Sequence, residues 1–125
     1  MSQVVILGAS AKPHRYAYKA QQALLAAGHQ VHLVSPRWQD INGLPVLRQL
    51  VDIPTAVDTV TLYVNPTILQ GYLEQLIQIT PRRVIFNPGT ESDTIAVQLE
   101  TAGIATIEAC TLVLLRTDTF DISSG

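Results

Sequence analysis

The chain has 125 residues, 47% of them hydrophobic, enough for one domain with one packed core and too apolar for a disordered chain. Eight basic against ten acidic residues give a net charge of −2, which excludes an electrostatic footprint for nucleic acid or an anionic membrane surface. Cys110 is the only cysteine, so an internal disulfide and a cysteine-built metal site are excluded as well.

Apolar runs alternate with stretches of helical period along the chain. Met1-Ser2-Gln3 carries no charged-then-apolar leader and no apolar run is long enough for a bilayer, so a cytoplasmic protein is expected. Val4–Leu7 reads as the first strand. Tyr16–Ala27 places Ala17, Ala20, Leu24 and Ala27 on one face, the stripe of a helix packed on a sheet, and Gly28 ends it. Val31–Val34 is a second strand closed by Ser35-Pro36. The segment Trp38–Val57 has no clear period, beyond a short helix near Leu47–Val51. Thr59–Val64 is a third strand closed by Asn65-Pro66, followed by a helix over Thr67–Ile79 that Pro81 stops. Arg83–Phe86 is a fourth strand closed by Asn87-Pro88-Gly89. Ser92–Ala102 is a helix ended by Gly103, and Ala105–Glu108 is a fifth strand. Thr111–Leu115 reads equally as a helical turn or an edge strand. Residues 121–125 form a polar, frayed tail.

This alternation predicts a Rossmann-like three-layer α/β/α domain over residues 1–120, with a mainly parallel five-stranded sheet and the first strand central. In such folds ligands bind outside the carboxyl ends of the strands. Four turns lie there: Gly8–Arg15, Ser35–Trp38, Asn65–Thr67 and Asn87–Glu91. Each carries Gly, Pro, Asn or a combination of them, which hold backbone groups in fixed directions. Any one of these turns does no more than end a strand; four at one sheet edge favour a binding crevice.

The opening loop, Gly8 to Tyr16, has a single glycine where the common dinucleotide fingerprint has three. Gly8 allows the sharp turn, the N–H groups before Tyr16 point at the crevice, and Lys12 and Arg15 add positive charge beside a helix N-terminus, which suits an anion. A surface loop with two solvated cations is the plain alternative. The second turn sharpens the choice. NAD-binding folds place Asp or Glu here for the ribose hydroxyls; this chain has Ser35, Pro36 and Arg37. A guanidinium in place of a carboxylate suits a ribose that carries a phosphate, as in coenzyme A or, alternatively, NADP.

Gly8-Ala9-Ser10, Lys12-Pro13, Arg15-Tyr16, Val34-Ser35-Pro36, Gly43-Leu44-Pro45-Val46 and Asp52-Ile53-Pro54 with Val57-Asp58 together resemble the small stand-alone CoA-binding proteins. Their domain is similar to the CoA-binding domain of the succinyl-CoA synthetase alpha subunit. The resemblance runs from about Val4 to Leu115. It implies that the first loop (Gly8, Ala9, Ser10, Lys12, Arg15, Tyr16) meets the phosphates and that Arg37, beside Ser35 and Pro36, lies near the ribose phosphate. It implies too that Val64, Asn65 and Pro66 border the adenine, with Asn87 and Gly89 as further contacts. The fourth turn reads Asn87-Pro88-Gly89-Thr90-Glu91 where many members carry Gln-x-Gly.

No nucleophile, base and orienter occur together, and no catalytic or metal-ligating residue is assigned. Cys110 is expected as a small buried hydrophobe. His14 sits in the binding loop, and His29 and His32 are structural. Glu91 and Asp93 favour a helix start capped by Thr90 or Ser92. The expected function is binding of CoA or acyl-CoA by a carrier, sensor or regulatory module with no catalysis of its own. An NADP-binding or small redox enzyme is the alternative. The partner expected is this small nucleotide cofactor, with neither nucleic acid nor membrane; the sequence names no protein partner.

Overall fold

The computed structural model describes residues 2–121; the expected polar tail therefore lies, beyond Asp121, outside the described residues. The chain alternates strand and helix: β1 (Gln3–Leu7), α1 (Tyr16–Ala26), β2 (Gln30–Val34), β3 (Asp40–Ile41), β4 (Leu44–Leu47), β5 (Thr59–Leu62), α2 (Pro66–Ile79), β6 (Arg83–Phe86), α3 (Asp93–Thr101), β7 (Ala105–Glu108) and α4 (Thr111–Arg116). Among the described residues no helix is long and apolar enough to cross a membrane.

One sheet runs in the order β3-β4-β2-β1-β5-β6-β7. Its strands pair in parallel except for β3, which runs antiparallel to β4. The sheet thus has seven strands rather than the five expected. Both additions come from the segment expected to be irregular. Asn42 (φ 51°) and Gly43 (φ 83°) take positive φ in succession, the geometry of a two-residue hairpin turn. The returning β4 then adds to β2, with Leu33 beside Val46 and Val34 beside Leu47. The short helix expected near Leu47–Val51 is a single 3-10 turn at Leu50–Asp52. Residues 111–116 are helical, which settles the open reading there.

Successive side chains of the central strands point to opposite faces, so a continuous apolar run serves two cores. Val5 and Leu7 pack with Val60, Leu62, Val84 and Phe86 against Leu69, Leu73 and Leu76 of α2 and Ile95 and Leu99 of α3. Val4 and Ile6 pack with Leu33 and Ile85 against Ala17, Ala20 and Leu24 of α1, with α4 beside them. Val4 through Leu7 have no solvent exposure, as expected of a central strand covered on both sides.

After α4 the chain tucks under the amino end of the sheet. The Phe120 ring is buried, with its centroid 5.0 Å from that of His29 and 4.5 Å from the guanidinium carbon of Arg83. Arg83 Nη2 donates to the Phe120 carbonyl at 2.6 Å and Nε to Thr59 Oγ1 at 2.9 Å. His29 and His32 are structural, as expected: His29 Nδ1 accepts from the Ser2 N–H at 3.1 Å, and His32 Nε2 donates to Gln3 Oε1 at 2.7 Å. This clasp lies at the edge of the sheet opposite the strands' carboxyl ends. Phe120→Ala is expected to cost about 3–5 kcal/mol through the cavity it leaves, read as a lower urea midpoint in equilibrium unfolding. A loss below about 1 kcal/mol, the scale of a surface substitution, would show that the clasp does not close the core.

Candidate nucleotide-binding crevice

A cavity of about 500 Å³ opens at the carboxyl ends of β1, β2, β5 and β6. The loop after β1 forms its centre. Gly8 has φ +98°, and a Cβ there would stand 2.8 Å from Val64 Cγ1 and 2.9 Å from the Tyr63 carbonyl carbon and oxygen. Both the backbone angle and the space therefore require glycine. The Gly8 and Ala9 N–H groups donate to the Val34 carbonyl at 2.8 and 3.3 Å, and the Tyr63 N–H donates to the Leu7 carbonyl at 2.8 Å. The loop is thus fastened to the ends of β2 and β5 at once.

That fastening changes the expected donor set. Gly8 and Ala9 spend their N–H groups on Val34, and the Lys12 N–H donates to Ser10 Oγ at 3.1 Å. These groups hold the loop. The start of α1 also faces the crevice, and its cap residue Arg15 makes no side-chain cap hydrogen bond. The neighbouring helices are capped from within: Asn65 Oδ1 accepts from Ile68 N at 2.8 Å, and Ser92 Oγ from Ile95 N at 3.3 Å. The first N–H groups of α1 and its positive dipole end are left for a ligand.

The second turn is built with equal care. Ser35 is buried; its N–H donates to the Leu47 carbonyl at 2.9 Å and its Oγ accepts from the Arg37 N–H at 3.1 Å. Arg48 donates to the Pro36 carbonyl. Arg37 and Trp38 both line the crevice. The lining includes the cations Lys12, Arg15 and Arg37 and, among the described residues, no carboxylate. A protein of net charge −2 therefore presents a locally positive cavity.

Of the residues expected at the site, Gly8, Ala9, Ser10, Lys12, Arg15, Tyr16, Ser35, Pro36, Arg37, Val64, Asn65 and Gly89 line this cavity, while Pro66 and Asn87 do not. Pro66 is the first residue of α2. Asn87 is buried beneath the floor: Nδ2 donates to Thr61 Oγ1 at 2.6 Å and to the Leu62 carbonyl at 2.8 Å, and Oδ1 accepts from Thr111 N at 2.9 Å. It staples β5, β6 and α4 together, which explains an asparagine at this strand end. Glu91 Oε1 accepts from Gly89 N at 2.9 Å, and Ser92, not Thr90, caps α3. Cys110 is half-buried at the junction of the edge strand β7 with α4, rather than sunk in the core. His14 is exposed and outside the lining.

Sequence reasoning missed Ala17, Trp38, Tyr63, Ile68, Pro88 and Thr90, which complete the lining. Trp38, Pro88 and Thr90 belong to turns already singled out; Ile68 had no signal, being one apolar residue in a helical stripe. Tyr63 stands apart. Its Oη is buried and has no hydrogen-bond partner of ordinary geometry among the described residues. Burial pushes the phenol up to about 12, against a smaller lowering by the Thr111 and Thr61 hydroxyls, with the nearby Cys110 adding to the rise. Among the described residues no group of three or more His, Cys, Asp or Glu is placed to hold a metal.

Residues 2–116 match the family model described as a CoA binding domain. The solved structure of an uncharacterised protein is 37% identical, with a TM-score of 0.91, covering 96% of this chain and 98% of the other. A conserved hypothetical protein from Pyrococcus furiosus is 28% identical, with a TM-score of 0.82, covering 90% and 98%. The dinucleotide-forming acetyl-coenzyme A synthetase 1 of Ca. Korarchaeum cryptofilum shares the fold at 18% identity and a TM-score of 0.71; the match covers 85% of this chain and 25% of that one.

Two outcomes follow from this geometry. Gly8→Ala meets backbone as well as a positive φ, whereas a Cβ at Gly28, also of positive φ, meets no atom within 4 Å. Gly28→Ala should cost about 1–2 kcal/mol from the left-handed backbone alone, and Gly8→Ala a further 1–3 kcal/mol, roughly, from overpacking, in urea unfolding; equal losses would contradict the close passage. The raised phenol of Tyr63 favours its neutral form in the fold. The stability it contributes is fully present below the ordinary tyrosine value of 10.0 and is lost as pH rises from there through about 12. Ultraviolet difference titration of the native protein should show a tyrosinate signal at that upper end that is missing in Tyr63→Phe.

Proposed function

The chain belongs to the CoA-binding domain family, and on that premise we propose that its crevice holds coenzyme A or an acyl-CoA, in a cytoplasmic carrier, sensor or regulatory module without catalysis of its own. One observation carries the reading. In a net acidic protein, three cations and the uncapped N-terminus of α1 converge on a single crevice, an arrangement suited to a ligand with several phosphates.

In this reading the pyrophosphate lies against the start of α1, with Lys12 and Arg15 beside it. Arg37 receives the phosphate on the ribose. The adenine rests by the turn of Val64 and Asn65, and the pantetheine leaves past Pro88, Gly89 and Thr90. The residues present fit such a group, because the lining joins these cations to the apolar surfaces of Tyr16, Val64 and Ile68. The hydroxyls of Ser10 and Ser35 accept from the Lys12 and Arg37 N–H groups and so serve the turns they sit in, which favours binding over turnover.

Isothermal titration tests the reading. Wild type should bind CoA more tightly than dephospho-CoA by about 0.5–1.5 kcal/mol, or roughly two- to tenfold, since Arg37 is exposed and partly screened. Arg37→Ala should remove that preference and leave dephospho-CoA binding unchanged. Equal binding of the two ligands by wild type would contradict the role of Arg37. Binding of NADP without CoA would overturn the choice of cofactor.

A further inference from the structure

Trp38 is the only tryptophan in the chain, and it stands beside the cation that the preceding reading gives to the ribose phosphate. The turn beneath fixes the backbone of Arg37 through the Ser35 hydroxyl and the Ser35–Leu47 hydrogen bond. It does nothing for the long side chain. Among the described residues the guanidinium has no ion pair and no hydrogen bond; what it touches is the indole of Trp38, with its carbon 5.4 Å from the ring centroid. Trp38 is itself half-buried and packed against the core on the α1 face, so the ring is a fixed surface.

This way of holding an arginine has a chemical consequence. A carboxylate partner would occupy the in-plane donors of the guanidinium and cancel its charge. An aromatic face attracts the cation through the π system instead and leaves the planar fork of N–H donors free. Immobilising a long side chain costs binding affinity when it happens on ligand arrival, and less when the free protein already holds it. We infer that Trp38 is a positioning residue: its indole holds the Arg37 guanidinium within the crevice before the ligand arrives, and so sets the preference for a phosphorylated ribose. The inference rests on the crevice being a CoA site.

The test measures CoA and dephospho-CoA affinities for wild type, Trp38→Phe, Trp38→Leu and Trp38→Ala, alone and with Arg37→Ala. Trp38→Leu keeps the core filled while removing the aromatic face, so the test survives if Trp38→Ala does not fold. Trp38→Leu should lose about two- to tenfold in CoA affinity and leave dephospho-CoA within twofold, roughly, of wild type. Trp38→Phe should retain most of the preference. With Arg37 already replaced, Trp38→Leu should cost CoA nothing further. Equal losses for both ligands would mean that the ring touches the ligand itself, and would overturn the inference. So would an unchanged preference in Trp38→Leu, with wild type still favouring CoA; that result leaves the CoA reading intact. A wild type that binds neither ligand removes the reading and the inference together.

Discussion

The passage of Gly8 beneath the end of β5 is the constraint on which the crevice depends. No side chain fits between this residue and the Tyr63 backbone, so β1 and β5 can end side by side and the loop can turn at once towards α1. The Val34 carbonyl receives the two N–H groups that this turn leaves over. The consequence is a division of labour along the loop. Gly8 and Ala9 are spent on holding β1 against β2, while Ser10, Lys12, Arg15 and the start of α1 face the crevice. The close approach that other nucleotide sites obtain with three glycines is obtained here with one, and small residues follow it: Ala9 and Ala17 are both buried where the loop and helix come down onto the sheet.

Electrostatics act on that frame. The starts of α1 and α2 both border the crevice, but Asn65 caps α2 from within, as Ser92 caps the more distant α3. The field of α1 is the one left without a side-chain cap, and Lys12, Arg15 and Arg37 reinforce it. Because the chain as a whole is slightly acidic, this attraction is local: it selects an anion placed in the crevice and does not gather polyanions over the surface. Below the floor, Asn87 ties three elements through one amide. The turn above it can therefore present Pro88, Gly89 and Thr90 to the cavity without support from a ligand.

The fold was legible because the buried parallel strands are nearly uninterrupted apolar runs and the helices carry clean stripes. The hairpin was missed although Asn42-Gly43 is a strong turn signal. Its strands are short, and Pro45 hides their alternation. The site was legible as turns and less so as side chains. Spacing placed the loop, Arg37 and the turn after β5, but it could not say where each polar group finds its partner. Asn87 reads as a ligand contact until β5 and α4 are seen to converge on it. The Gly8 and Ala9 N–H groups read as phosphate donors until Val34 is seen beneath them. Trp38 was read only as the end of its turn; its stack on Arg37 was invisible for a related reason, since it joins sequence neighbours yet depends on a core residue cluster assembled from distant segments.

The central claim is that this crevice is made for coenzyme A. Native mass spectrometry of the freshly purified protein, alone and after addition of equimolar CoA, NADP and NAD together, tests it most directly, because a retained ligand declares itself by mass. The account predicts one CoA or acyl-CoA per chain, lost when Lys12, Arg15 and Arg37 are all replaced by alanine. A protein that stays at its bare mass, or that takes NADP from the mixture in place of CoA, would contradict it.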